Sequence, residues 1–210
     1  LSLSFFLARK SESSLAKELN TNKRSRFYIF TCLILAVLFF EVPSSGIWAF
    51  MERFGVEDLD MEVSRVGEVI SISIILSLIG PLFIGLVGNK IGRKVPILIC
   101  LFLSSFCIYF IFGVATVNTF YYGNITWNII FTIMVILILG ASGDIDPSGK
   151  LGSWLNACML LSASISPAIF GWILLDQSLS EIYPYLMFFL LAAFVCIFIT
   201  KRELEPIDKV

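Results

Sequence analysis

Six apolar stretches follow one another along the chain, over residues 27–51, 66–87, 95–114, 120–139, 152–175 and 182–200, with only short polar breaks between them. Each is close to the roughly 20 residues that a helix needs to cross the hydrocarbon core of a bilayer. That core offers no water to a backbone N–H or C=O, so an open span can satisfy its polar groups only as an α-helix. The sequence therefore predicts an all-α membrane protein with six transmembrane helices. Composition agrees: 58% of the residues are hydrophobic, 15% are charged and histidine is absent. The mean hydropathy of +0.91 exceeds that of a soluble domain.

The polar breaks carry the orientation. Between the second and third stretches, Gly85 to Lys94 reads Gly-Leu-Val-Gly-Asn-Lys-Ile-Gly-Arg-Lys. Gly88 and Gly92 permit a tight reversal, and Lys90, Arg93 and Lys94 mark the turn as cytoplasmic. The segment before span one, the loops after spans two and four, and the tail after span six hold six, three, one and three cations. The remaining loops hold only Arg53 and Arg65. This asymmetry predicts a multi-pass protein of the cell membrane with both ends of the segment cytoplasmic. Tyr121, Tyr122, Tyr183 and Tyr185 then fall at the outer interface, where aromatic rings are favoured.

Residues 1–7 begin inside an apolar run and are read as the end of a preceding transmembrane helix, residues 8–26 as a cytoplasmic linker, and residues 201–210 as a cytoplasmic tail. The cysteines at 32, 100, 107, 158 and 196 all lie in apolar runs without metal-ligand spacing, and are expected to be reduced core residues. No cofactor or nucleic-acid motif is present, and nothing clusters as an enzyme's nucleophile, base or metal set.

Polar side chains divide the spans. Spans three and six carry few, which predicts lipid-facing positions. On span one, Glu41, Ser44, Ser45 and Trp48 stand at helical offsets that share one face. Span four repeats the arrangement with Asn124, Trp127, Asn128 and Thr132, and span five carries Asn156, Ser162, Ser166 and Pro167. Spans one, two, four and five are thus expected to surround a polar cavity near the midplane. The candidate proton-coupling or substrate residues are Glu41, Ser45, Trp48, Asn124, Asn128 and Asn156. A carboxylate at that depth costs several kcal/mol unless protonated, paired or hydrated, so Glu41 reads either as a proton-coupling or cation-binding group or as a protonated acid bonded to a neighbouring helix. The asparagines read equally as hydrogen-bond glue between helices. Pro43 and Gly46 suggest a hinge or a packing accommodation. Asp144 and Asp146 are placed either in ion pairs with the Lys90, Arg93 and Lys94 turn or in solvent. Asn124-Ile125-Thr126 fits a glycosylation sequon by chance, since it lies at the membrane edge.

The stretch Gly85, Asn89-Lys90, Gly92, Arg93-Lys94 resembles the signature Gly-x-x-x-Asp-Arg/Lys-x-Gly-Arg-Arg/Lys of the major facilitator superfamily of transporters, with Asn89 at the acidic position. Gly46 to Gly55, and Asp146-Pro-Ser-Gly-Lys150, are similar to a bacterial branch of it. The resemblance covers about residues 27–200. It implies the carboxy-terminal six-helix half of a twelve-helix secondary transporter, working with a missing amino-terminal half. It implies a cytoplasmic gate formed by Gly85, Asn89, Lys90, Gly92, Arg93 and Lys94 with Asp146, and peripheral third and sixth helices. The expected partners are a small-molecule solute, a proton as coupling ion and the lipid bilayer. A homodimeric half-transporter and a non-transporting scaffold or sensor are the rival readings.

Overall fold

The computed structural model describes the backbone of residues 2–87, 92–175 and 177–200, and the side chains of 27–86, 92–175, 177–178, 180–181 and 183–200. The side chains of residues 1–26 and the whole of 201–210 lie outside the described residues, as do Asn89 and Lys90. The described elements are α1 (Ser2–Arg53), α2 (Val63–Ser77), α3 (Ile79–Val87), α4 (Lys94–Ile108), α5 (Val117–Ile145), α6 (Lys150–Ile173) and α7 (Leu179–Phe198). Wider π-type turns, Phe54–Asp58 and Tyr109–Val114, extend α1 and α4. With α2 and α3 as two halves of one span, this is an all-α membrane bundle of six columns.

Its packing has an internal symmetry. Helix α1 packs on α6 and α7, α5 packs on α2, α3 and α4, and α4 meets α7. Taking α1 to α4 as one unit and α5 to α7 as a second, the first helix of each unit lies against the second and third spans of the other. That is the arrangement of repeated three-helix units found in many transporter folds.

Small residues set the two principal seams. Gly46 of α1 lies under the ring of Phe170 from α6, where a β-carbon has no room, and the Ser166 hydroxyl of α6 donates to the Val42 carbonyl. In the matching seam, a β-carbon on Gly80 of α3 would stand 2.5 Å from Thr132 Oγ1 of α5. That same hydroxyl donates to the Ser77 carbonyl at 3.0 Å. Pro81 has no N–H to offer Ser77, and the span tightens at Leu78 between α2 and α3, where the amide bonds back to the Ile75 carbonyl while the dihedrals stay helical. Thr132 thus brings a donor to the carbonyl that the proline leaves open, its one proton shared with the Ile129 and Asn128 carbonyls of its own helix at 2.9 and 3.1 Å. Helix α1, in contrast, runs through Pro43 without such a turn. The local tightening lies in span two, and the absent side chain at Gly46 serves packing.

Aromatic rings fill the centre. Phe40 stacks on Phe131 with centroids 5.7 Å apart and lies 6.4 Å from Trp127, and Phe54 meets Phe112 at 4.8 Å. The five cysteines are free thiols, with Cys32, Cys100 and Cys107 buried. Helices α4 and α7 present apolar faces outward, with Phe102 and Phe106 on one and Phe188 and Leu191 on the other. The columns least covered by the rest of the bundle are nevertheless the second and fifth. Only 22% of the most apolar part of Val63–Leu86 and 17% of that of Lys150–Ile173 is buried, against 50% for the span through α1. The reason is positional: each sits at an open edge and leans chiefly on one neighbour, α5 or α1.

Gly46→Ala drives a methyl group into the Phe170 ring and is expected to destabilise the bundle by about 1–3 kcal/mol. Gly85→Ala, where a β-carbon meets nothing within 4 Å, is expected to leave stability unchanged or slightly raised. Thermal unfolding of the two variants in detergent distinguishes a seam glycine from an open one.

Candidate functional site

Four spans carry a polar group at the same height. In α1, Phe40 touches Trp127 and Phe131 of α5, and the Val42 carbonyl receives Ser166 of α6, so Glu41 stands where α1 meets both. One residue beyond Trp127, Asn128 donates from Nδ2 to Ser73 Oγ of α2 at 3.1 Å and to the Asn124 carbonyl at 3.0 Å. Glu41, Ser73, Asn128 and Ser166 therefore form a layer near mid-span, contributed by α1, α2, α5 and α6.

The members of this layer are not equally satisfied. Glu41 is 4% exposed, and among the described residues no cation stands within ion-pair reach of it. Ser45 and Trp48, one and two turns further along the same face, are half-buried. Asn124 is fully buried, and neither its side-chain oxygen nor its nitrogen has a partner. That burial also leaves no room for a glycan on the sequon. Asn156 stands apart, exposed on the open edge of α6. The fold thus brings Asn124 and Asn128 together against α2, sets Glu41, Ser45 and Trp48 on one face of α1, and leaves Asn156 outside both groups.

A second polar cluster closes one end of the bundle. Gly92 takes φ +73°, the left-handed conformation that suits glycine, and turns the chain into α4. Arg93 Nε then donates to Asp144 Oδ2 at 3.0 Å. The guanidinium lies flat against α5, its central carbon only 2.8 Å from where a side chain at Gly140 would begin. The neighbouring Lys94 Nζ donates to the Thr200 carbonyl at 2.5 Å and sits 5.8 Å from the Phe198 ring centroid. One turn thereby ties the ends of α5 and α7.

Asp146 has a different task. Its carboxylate accepts from the Ser148 hydroxyl at 2.6 Å, the Ser148 amide at 3.2 Å and the Leu151 amide at 2.9 Å, which caps the start of α6. The Ser148 hydroxyl first, then the Leu151 amide, hold its carboxyl below the usual aspartate range. Of the two acids considered for the cationic turn, Asp144 is the one that meets Arg93. The Lys94 contact has no sequence signal, because its acceptor is a backbone carbonyl.

Six helical columns in two related three-helix units, with polar groups at mid-span and a cationic turn tying one end, make a fold that is shared with half of a solved transporter. The crystal structure of the human organic anion transporter MFSD10 (TETRAN) is similar to this chain with a TM-score of 0.58 at 16% identity, over 85% of the chain. The chain spans 47% of that transporter's length, about half. No protein-family profile and no curated protein sequence matches it.

Asp146→Ala is expected to speed amide hydrogen exchange across residues 148–153. A carboxyl held low in the folded chain stabilises it above the unfolded value of about 3.9, and that contribution is lost as pH falls through the lower folded value. Wild type and variant should therefore differ at neutral pH and converge in strong acid, as read by exchange mass spectrometry.

Proposed function

We propose that this chain is one half of a secondary active transporter, moving a small solute across the membrane by alternating access with a proton as the coupling ion. The observation that carries the reading is Glu41: a carboxylate 4% exposed in a mid-span layer, with no cation in reach among the described residues. An intramembrane acid without a fixed partner suits a group that takes up and releases a proton as its surroundings change. The fold shared with a transporter supports solute movement as the task.

The open edges support a partner half. Along α2 and α3, Ile75, Leu78 and Leu82 face outward, and along α6 so do Leu160, Leu161 and Trp172. A second six-helix bundle covering these two edges would enclose the face of α1 that carries Glu41, Ser45 and Trp48, and rocking of the halves would open it to one side at a time. On this reading the chain is the carboxy-terminal half, its Arg93 end is cytoplasmic, and the Arg93–Asp144 and Lys94–Thr200 contacts hold that end of the bundle together.

The test uses the complete protein in proteoliposomes, with proton movement followed as pools of small solutes are added. Wild type is expected to move protons in response to one pool, and Glu41→Gln to reduce that movement about tenfold or more. Equal solute-driven proton movement in both proteins removes Glu41 from coupling. Solute uptake without proton movement leaves a transporter with another driving ion.

A further inference from the structure

At the end of the bundle opposite Arg93, two cavities share Asn118 and Tyr122. One, about 340 Å³, lies between the first turns of α2 and α5, where Arg65, Glu68 and Tyr121 line it. The other, also about 340 Å³, runs along the outside of the bundle between α4 and α5, walled by Leu103, Phe106, Phe110 and Ile130. The first is charged and lies at the helix ends. The second is apolar and descends toward the membrane interior. The two flank the start of α5, one on its α2 side and one on its α4 side, so a ligand lying over the exposed edge at Asn118 and Tyr122 meets a charged head on one flank and an apolar wall on the other.

The charges in the head are uncommitted. Of the two arginines described at this end, Arg53 is held by Glu57 at 2.6 Å and reaches the Leu174 carbonyl. Arg65 joins no ion pair among the described residues. Glu68 follows it by one turn on the same cavity wall and is likewise without an ion-pair partner among them. Both are exposed, and with the cation ahead of the anion their mutual attraction on the helix is weak, so each can meet a ligand group of the opposite sign. Lower down the apolar flank, Thr126 turns its hydroxyl back to the Tyr122 carbonyl at 2.9 Å, so this wall meets a chain as apolar surface.

We infer that this edge binds one molecule of a zwitterionic aminophospholipid, with its phosphate on Arg65, its ammonium on Glu68, its ester region at Asn118 and Tyr122, and one acyl chain between α4 and α5. The two flanks together require such a ligand. A water-soluble zwitterion leaves the apolar half against lipid with nothing gained, and a hydrocarbon chain alone leaves Arg65 and Glu68 unused. An anionic lipid satisfies Arg65 but brings repulsion at Glu68. Arginine suits the phosphate because its planar donors can bond two oxygens at once. The site is separate from the Glu41 layer and does not depend on how solute is moved.

The complete protein, purified in a mild detergent, is incubated with equal amounts of dioleoyl phosphatidylethanolamine, phosphatidylglycerol and dioleoylglycerol, and retained lipid is counted by native mass spectrometry. One phosphatidylethanolamine per chain is expected to be kept in preference to the others. Arg65→Gln is expected to lower that retention about tenfold, the loss of one charge-assisted contact. Glu68→Gln should abolish the preference over phosphatidylglycerol. Thr126→Trp, which fills the apolar part and leaves both charges in place, should lower retention of either phospholipid. All three positions are exposed, and unchanged thermal unfolding verifies that each variant is folded. Equal retention of the three lipids by wild type, or undiminished phosphatidylethanolamine on Arg65→Gln, overturns the assignment and leaves the edge as ordinary contact with bulk lipid.

Discussion

The structure depends on one constraint: a backbone polar group inside a bilayer must find its partner within the protein. The constraint is sharpest in span two, where Pro81 takes away the donor for the Ser77 carbonyl and the helix tightens at Leu78. The Thr132 hydroxyl from α5 reaches that carbonyl at 3.0 Å, and it can do so because Gly80 has no side chain to hold α5 away. One residue's missing N–H, another's missing side chain and a third's hydroxyl form a single unit. Remove the threonine hydroxyl and an acceptor is stranded; enlarge the glycine and the donor cannot approach. In the matching seam Ser166 also bonds a backbone carbonyl, that of Val42 beside Gly46, but there no proline has removed a donor, since the residue four beyond Val42 is Gly46.

Against that background the unsatisfied groups stand out. Most polar side chains in the spans turn to a backbone carbonyl one turn back, as Ser44 does to Phe40 and Ser71 to Gly67, or bridge helices, as Asn128 does to Ser73. Asn124, Ser104 and Ser162 have buried polar atoms with no partner among the protein groups described, and Glu41 has no ion-pair partner there. Asn124 lies one turn from Asn128, whose Nδ2 makes two hydrogen bonds, so its isolation is not a general feature of α5. A buried amide with all its bonding capacity unused has to be met by water or by groups that arrive in another arrangement of the helices. The seam at Asn128, one turn away, meets the same requirement with protein groups alone.

How much of this was legible in the sequence follows from how far each signal reaches. Twenty apolar residues in a row fix a spanning helix with no help from elsewhere in the chain, so the all-α bundle of six columns could be read directly. The polar faces of spans one and four were readable for the same reason, since helical offsets are local. What those faces touch was not. Ser73 looked no different from Ser71 in the sequence, yet one meets Asn128 and the other bonds its own helix. Asn156 was grouped with Asn124 and Asn128 by residue type, and only the packing of α6 on α1 shows that it points out of the bundle's open edge. The separation of Asp144 from Asp146 was half legible: a serine two residues after Asp146 signals a local cap, while the Arg93 contact to Asp144 depends on how α4 and α5 meet.

The two seams, though equivalent by the internal symmetry, are built differently. Helix α1 is continuous through Pro43 and meets an unbroken α6, so their seam joins two uninterrupted helices. The column opposite α5 tightens at Leu78, and its second part, α3, is tied back by a single side-chain hydroxyl at its start. Beyond α3 the chain enters the turn that Arg93 and Lys94 anchor to α5 and α7. Helix α3 is therefore held at both ends, with Gly85 open to its surroundings between them. The one turn residue among the described residues of this column, Leu78, lies between the mid-span layer and the anchored turn, and α5 beside it runs without such a residue. The two related units thus differ in how their second span is held: one runs through Pro167 as a single helix, and the other carries a proline beside a glycine and borrows a hydroxyl from α5.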